Sequence, residues 1–227
     1  MPHASDPSAV RGSAAHELRT EIAAAAARLI VEDGCDWASA KRKAAQAVLG
    51  ERASHRAALP ERAEMEAAVR AYLRTYQPQE HRALLAGLRR AALMLMRRLE
   101  NFDPHLTGAV LNGTATEHSD LRLALYCDSA KDVELALMEA GVDFEAVEGG
   151  QHEPRPEEVL SFLWPAPRAA GLPSSLHRLG VHLEVYGPRA RRQAPRPTAA
   201  EDGMHPLETL GRAGIAQLEE LLEGTAR

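Results

Sequence analysis

The chain has 227 residues, which is enough for one large domain or two small ones. Its hydrophobic fraction of 45% and charged fraction of 26% are ordinary for a globular protein, and its formal net charge of −5 gives no support for bulk binding of nucleic acid. No apolar run approaches the length of a membrane span, so we expect no membrane partner.

The two cysteines, Cys35 and Cys127, lie far apart and outside any Cys-x-x-Cys spacing. They indicate neither a disulfide framework nor a zinc site, and they suit a reducing cytoplasm. Only three of the 27 basic residues are lysines, a usage typical of a GC-rich genome. We therefore expect a cytoplasmic protein of bacterial type.

The first half of the chain has the pattern of a helical region. Residues 1–13 lack the apolar core of a signal peptide and are expected to form a disordered lead-in. Residues 14–102 carry apolar residues at helical spacing, which predicts a small bundle or a helical prefix. The four predicted helices run from Ala14 to near Gly34, from Trp37 to Leu49 behind the cap Asp36, from Pro60 in the first turn of the third, and from about Glu80 to Leu99.

Strands and helices alternate after Asp103, so residues 103–227 are predicted to form a second domain. A Pro- and Arg-rich stretch, 187–203, is expected to be a mobile loop. We expect an α+β fold, with the helical region followed by a small mixed sheet and flanking helices. The predicted strands are Leu106–Leu111, Leu121–Tyr126, Phe144–Glu148, Val159–Leu163 and Val181–Tyr186, and the predicted helices are Ala130–Ala140 and Pro206–Leu222.

The most specific pattern lies in Leu106 to Leu123, LTGAVLNGTATEHSDLRL. Gly113 follows Gly108 by five residues, and Asp120 follows Gly108 by twelve. A glycine-rich turn lets backbone N–H groups approach a phosphate closely. Asn112-Gly113 is also an ordinary hairpin turn signal, which is the simpler interpretation of the same residues.

This spacing resembles the signature of the DNA polymerase β-like nucleotidyltransferases, Gly-Ser-x3-Gly-x5-Ser-Asp-x-Asp-Leu. Two positions depart from the signature, because Ala109 replaces a small polar residue and Arg122 replaces the second Asp. The matching residues are Gly108, Gly113, Ser119, Asp120 and Leu123.

The resemblance implies transfer of a nucleoside monophosphate from a nucleoside triphosphate to an acceptor, which the sequence leaves open as RNA, protein or a small molecule. Such enzymes hold Mg²⁺ between carboxylates. The resemblance makes Asp120 the first catalytic and metal-binding carboxylate and Asp143 the next. Glu145 and Glu184 are further candidates that strand alternation explains equally well. The candidate nucleotide-binding residues are Gly108, Gly113, Ser119, Arg122 and Lys131.

Arg122 decides between two hypotheses. Residues at i and i+2 on a strand point to one face, so the family's two carboxylates can share a metal. A guanidinium at the second position is expected to pair with Asp120 and repel a metal, or to hold a phosphate directly. The alternative to an active enzyme is therefore a degenerate, noncatalytic module that binds nucleotide, RNA or a partner protein.

Arginines recur along the fourth predicted helix and again near the Pro-rich stretch. They predict either an RNA-binding surface or a solvated helix face. The residues concerned are Arg89, Arg90, Arg97, Arg98, Arg189, Arg191, Arg192 and Arg196.

Overall fold

The computed structural model describes residues 7–50, 59–148, 155–193, 197–198, 200–201 and 203–225. Within them the chain forms seven α-helices and one mixed sheet of six strands, which confirms the α+β class. The helices are α1 Pro7–Glu32, α2 Trp37–Leu49, α3 Arg62–Tyr76, α4 Pro78–Arg98, α5 Gly108–Asn112, α6 Ala130–Glu139 and α7 Ile215–Thr225. The strands are β1 His105–Thr107, β2 Leu121–Tyr126, β3 Glu145–Glu148, β4 Glu158–Pro165, β5 Arg178–Tyr186 and β6 Arg212–Ala213. None of the described helices is both long and apolar enough to cross a membrane.

The chain divides into two compact units, Met1–Pro78 and Gln79–Arg227. The predicted boundary at residue 102 places α4 in the first unit. In the structure, all of α4 after Pro78 belongs to the second unit. Its buried residues, Leu88 and Met96 among them, share one core with the sheet. Helical periodicity identifies which face of α4 is buried, and it contains no information about what covers that face.

The first unit is built from α1, α2 and α3 around a separate apolar core. The predicted α2 is confirmed from Trp37 to Leu49, and the Asp36 side chain accepts a hydrogen bond from the Ser39 N–H at 2.9 Å. Two details were wrong. α1 already begins at Pro7, within the predicted lead-in, and a proline suits a first helical turn. Pro60 precedes the N-cap Glu61 of α3 instead of entering the helix.

The six strands of the second unit have the order β3-β4-β5-β2-β1-β6. Only β2 and β5 run parallel, and the other four pairs are antiparallel. One face of the sheet packs into the core. Its buried side chains come from alternate strand residues such as Leu121, Leu123, Val181 and Leu183. The residues between them therefore lie on the opposite, open face of the sheet.

The predicted strand Leu106–Leu111 was wrong beyond Thr107. Gly108 adopts a φ of +69°, and the chain turns there into the short helix α5. Short apolar runs such as Ala-Val-Leu do not distinguish strand from helix by pattern alone. The second predicted strand, Leu121–Tyr126, is confirmed and pairs antiparallel with β1.

The predicted final helix Pro206–Leu222 was also wrong in its first half. It divides into a 3-10 turn at Pro206–Thr209, the edge strand β6 and then α7. Gly211, with a φ of +74°, breaks the helical course. In the predicted loop 187–203, Pro188–Arg192 forms a 3-10 turn, and residues 194–196, 199 and 202 lie outside the described residues.

Arg89 of α4 is buried, with 2% of its side chain exposed. Its guanidinium donates to the carbonyls of Val110 and Leu111 at 3.0 and 2.9 Å and to Glu208 Oε1 at 2.6 Å. These carbonyls belong to the last turn of α5, which has no further helical donors. Arg89 thus joins α4, α5 and the turn at Pro206–Thr209 inside the second unit.

Candidate functional site

Asp120 immediately precedes β2 on the open face of the sheet, and Arg122 lies two residues further on the same face. The parallel neighbour β5 places His182 beside Arg122 in the register and Glu184 beside Ala124. His182 and Glu184 alternate with the buried Val181, Leu183 and Val185, so they share the open face. Two adjacent strands and the residue just before β2 therefore collect four charged or titratable side chains on one face.

These side chains form two pairs. His182 Nε2 lies 3.0 Å from Asp120 Oδ2, and Arg122 Nη1 lies 3.4 Å from Glu184 Oε1. The expected pairing of Arg122 with Asp120 was wrong, because β5 supplies a nearer partner to each of them. The sequence does not show that β2 and β5 pair, because about 60 residues separate the two strands.

The hydrogen bond from His182 holds the pKa of Asp120 below its ordinary value. Partial burial of the carboxyl opposes this shift, and the charges of His182 and Arg122 add to it. Asp120 is therefore ionised at neutral pH and acts as a hydrogen-bond acceptor.

Gly180 of β5 makes room for that carboxylate. A Cβ atom on Gly180 would lie 2.0 Å from Asp120 Oδ1 and 2.7 Å from its Cγ, both well inside van der Waals contact. Sequence reasoning missed Gly180. The available signal was a glycine in an apolar strand pattern, which often marks the close approach of another group.

A cleft of about 700 Å³ opens beside Asp120 at the edge of β4. Asp143 also lines this cleft, so both carboxylates proposed from sequence border the same open space. Arg178 and Glu145 contribute further charge. The apolar lining includes Phe144, Leu163 and Pro165, and it also includes the strand residues Phe162 and Trp164, whose side chains are buried in the core.

A second residue missed from the sequence, Ser161 of β4, completes a hydrogen-bonded chain in this cleft. Ser161 and His182 are directly opposed in the β4–β5 register. The Ser161 Oγ lies 2.8 Å from His182 Nδ1, and His182 Nε2 contacts Asp120 on the other side of the ring. All three side chains line the cleft. A serine in an alternating strand gives no sequence signal for such a role.

The two glycines of the motif lie in different surroundings. Gly108 lies beside Arg122, because a Cβ there would be 3.3 Å from Arg122 Cδ. Gly113, with a φ of +79°, caps α5 and is buried with Thr114, Ala115 and Thr116. The turn at Gly113 therefore faces the protein interior, and only Gly108 adjoins the open face.

Ser119 and Lys131 do not converge on Asp120 in this structure. The Ser119 hydroxyl accepts a hydrogen bond from the Thr116 N–H at 2.9 Å, which closes the turn before β2. Lys131 contacts Glu134 of its own helix at 2.6 Å and is largely exposed. Both side chains therefore have partners close to them in the sequence, away from Asp120.

The arginine stripe of α4 is not a free basic surface. Arg89 is buried, Arg90 donates to the Ala170 carbonyl at 2.8 Å, and Arg97 pairs with Glu219 at 2.7 Å. Arg98 lies over the Trp164 ring. Of the arginines in the Pro-rich stretch, Arg191 pairs with Asp103 at 3.0 Å, and Arg196 lies outside the described residues.

The donors around Asp120 do not fit the Mg²⁺ site that the resemblance implies. Mg²⁺ is held by oxygen ligands in octahedral geometry, usually with carboxylates that share it. Here Asp120 and Glu184 each contact a nitrogen donor instead. Within the part of the chain that the structure describes, no three His, Cys, Asp or Glu side chains are grouped to hold a metal ion.

The resemblance to the nucleotidyltransferases rests on the motif residues from Gly108 to Leu123 alone. No family model matches the chain, and no curated protein or solved structure matches it.

Proposed function

We propose that the protein is a degenerate relative of the polymerase β-like nucleotidyltransferases that binds a nucleotide without a metal ion and does not catalyse nucleotidyl transfer. The observation that carries the proposal is the pair of contacts His182–Asp120 and Arg122–Glu184. They put nitrogen donors on the face where an active member of the family needs carboxylates around Mg²⁺. We expect the protein to act in the cytoplasm, as its cysteine usage suggests, and in a bacterium, as its high arginine content suggests.

The charge of the cleft indicates which nucleotide it favours. Three carboxylates, Asp120, Asp143 and Glu145, line the cleft together with the cation Arg178 and with His182. Without a divalent cation this balance disfavours the several negative charges of a triphosphate. A nucleoside or a nucleoside monophosphate carries less charge and offers N–H and O–H donors to the carboxylates. The apolar wall suits the packing of a base.

Nucleotidyl transfer with Mg²⁺ remains the second candidate, because Asp120 and Asp143 line one cleft. Its substrate would be a nucleoside triphosphate, and its acceptor would be RNA, a protein or a small molecule. Activity would require Mg²⁺ to displace His182 from Asp120. The two candidates therefore differ in their requirement for metal.

Isothermal titration calorimetry distinguishes them. Nucleoside mono- and triphosphates of adenine, guanine, cytosine and uracil are titrated with Mg²⁺ and, separately, with EDTA. The proposal predicts binding that EDTA does not weaken, with a monophosphate bound at least as tightly as its triphosphate. Turnover of a triphosphate that needs Mg²⁺, or the absence of binding by every nucleotide, contradicts it.

A further inference from the structure

The chain Ser161–His182–Asp120 has the connectivity of a hydrolytic triad. Its two hydrogen bonds, 2.8 and 3.0 Å long, pass through opposite nitrogens of one imidazole. Ser161 and His182 are directly opposed in the β4–β5 register, and Asp120 lies just before β2, two residues ahead of Arg122, the β2 partner of His182. Strand pairing therefore brings the three residues together. Catalytic triads are recognised by such geometry and roles, and they occur on unrelated folds.

Asp120 determines which nitrogen of His182 can act as a base. An ionised carboxylate only accepts hydrogen bonds, so the Nε2 that contacts Asp120 carries a proton. In the neutral imidazole the Nδ1 is then an acceptor, and it lies next to the Ser161 hydroxyl. The Ser161 proton therefore has a base in place. The two nitrogens exchange the roles they have in most serine hydrolases, and either nitrogen can perform them.

The surroundings indicate the class of substrate. Leu163 is 58% exposed at the edge of β4, and Phe144 and Pro165 line the same cleft. Apolar walls beside an uncharged nucleophile suit an ester with an apolar acyl group better than a polyanion.

One backbone N–H of β4, that of Leu163, is directed away from β5. Ala166 donates its N–H to His177 on the β5 side, and peptide groups alternate in direction along a strand. Leu163, three residues earlier, therefore points its N–H away from β5. β3 pairs with β4 only from Ser161 back to Glu158, so it does not reach Leu163 on that side.

We propose that Ser161, His182 and Asp120 form a serine-esterase site for short or medium apolar acyl esters. Ser161 Oγ attacks the ester carbonyl carbon and passes its proton to His182 Nδ1. The tetrahedral oxyanion accepts a hydrogen bond from the Leu163 N–H. The ester C–O bond then breaks, and the leaving alkoxide takes the proton from His182. Water attacks the acyl-serine in the same way, which releases the carboxylic acid and restores Ser161. Asp120 is a positioning residue that stabilises the imidazolium.

The inference does not depend on nucleotide binding, and its test contains no nucleotide. The full chain is treated with a fluorophosphonate, which labels activated serines covalently, and the labelled residue is identified by mass spectrometry. Hydrolysis of p-nitrophenyl acetate and butyrate is followed in parallel. We expect the label on Ser161, and we expect S161A to lose both the label and the esterase activity. The exposed Ser175 supplies the matched control S175A, which should keep both.

Two further variants separate chemistry from folding. H182Q keeps a polar side chain and should slow labelling about 100-fold, which is the low end for loss of a general base. D120N should lower the rate at neutral pH and move the midpoint of the pH–rate profile to lower pH, a change that a purely structural role would not produce. Circular dichroism checks that each variant is folded. Labelling of Ser161 no faster than that of Ser175, or labelling unaffected by H182Q, overturns the proposal.

Discussion

Gly180 is the residue on which the position of the Asp120 carboxylate depends. In G180A the new methyl group would overlap Asp120 Oδ1, so the flexible carboxylate should rotate away and lose its hydrogen bond to His182. Alanine is favoured over glycine in a strand by about 0.5–1 kcal/mol, so we expect the fold to survive. The pKa of Asp120 should rise towards its ordinary value of 3.8, because its main stabilising contact is gone.

Carboxyl ¹³C NMR measures that pKa directly. G214A is the matched control, because a Cβ there would lie at an ordinary 3.6 Å from His105 Nε2 and should leave Asp120 unchanged. The depressed pKa of the folded state has a consequence for stability. The Asp120–His182 contact stabilises the folded wild type at any pH above the ordinary pKa of an Asp side chain. This stabilisation is lost as the pH falls through the lower pKa that Asp120 has in the folded state. An unchanged Asp120 pKa in G180A would mean that the carboxylate does not depend on this glycine.

At the scale of elements, Arg89 is the link between α4, α5 and the turn at Pro206–Thr209. R89M should lower the free energy of unfolding by about 3–5 kcal/mol, because it leaves Glu208 and two carbonyls without their buried donor. R97M is the control, since the exposed Arg97–Glu219 pair should contribute about 0–1 kcal/mol. Urea denaturation measures both, and equal losses would show that burial of Arg89 has no special energetic role.

The end of α5 depends on Gly113 for a different reason. G113A should cost about 1–2 kcal/mol, which is the penalty for an L-residue in the left-handed region. Its Cβ would meet Glu208 Oε1 at a permissible 3.5 Å, so crowding adds little. G141A tests this, because Gly141 has a φ of +67° and a Cβ added there would meet nothing within 4 Å. Thermal unfolding should give similar losses for both, and a much larger loss for G113A would indicate crowding.

The helices and strands also show which parts of the fold the sequence patterns could predict. β2 and β5 were predictable because alternation and apolar content mark a strand that is buried on one side. The turn at Gly108 was not, because only a positive φ distinguishes β1–α5 from a longer strand. In the site, spacing identified Asp120. His182, Ser161 and Gly180 reach it only through strand pairing between distant segments, which no local pattern records.

At the scale of the whole molecule, each compact unit has its own buried core. Leu73 is 1% exposed in the first and Leu125 is fully buried in the second. L73A should reduce hydrogen–deuterium exchange protection in α1–α3 and leave β2 and β5 protected, and L125A should have the reverse effect. Each change should cost about 2–5 kcal/mol in its own unit. A loss of protection across both units from either variant would show that they unfold as one.

In the proposed function, His182 and Arg122 exclude a metal ion from Asp120. Binding of Mn²⁺ in place of Mg²⁺ is its most direct measurement, because the paramagnetic ion broadens the carboxyl ¹³C resonances of the residues that hold it. In the wild type we predict no more broadening of Asp120 than of Asp36, the distant cap of α2. R122D restores a carboxylate pair at i and i+2 and should produce selective broadening of Asp120. Selective broadening of Asp120 in the wild type at low Mn²⁺ concentration would contradict the account.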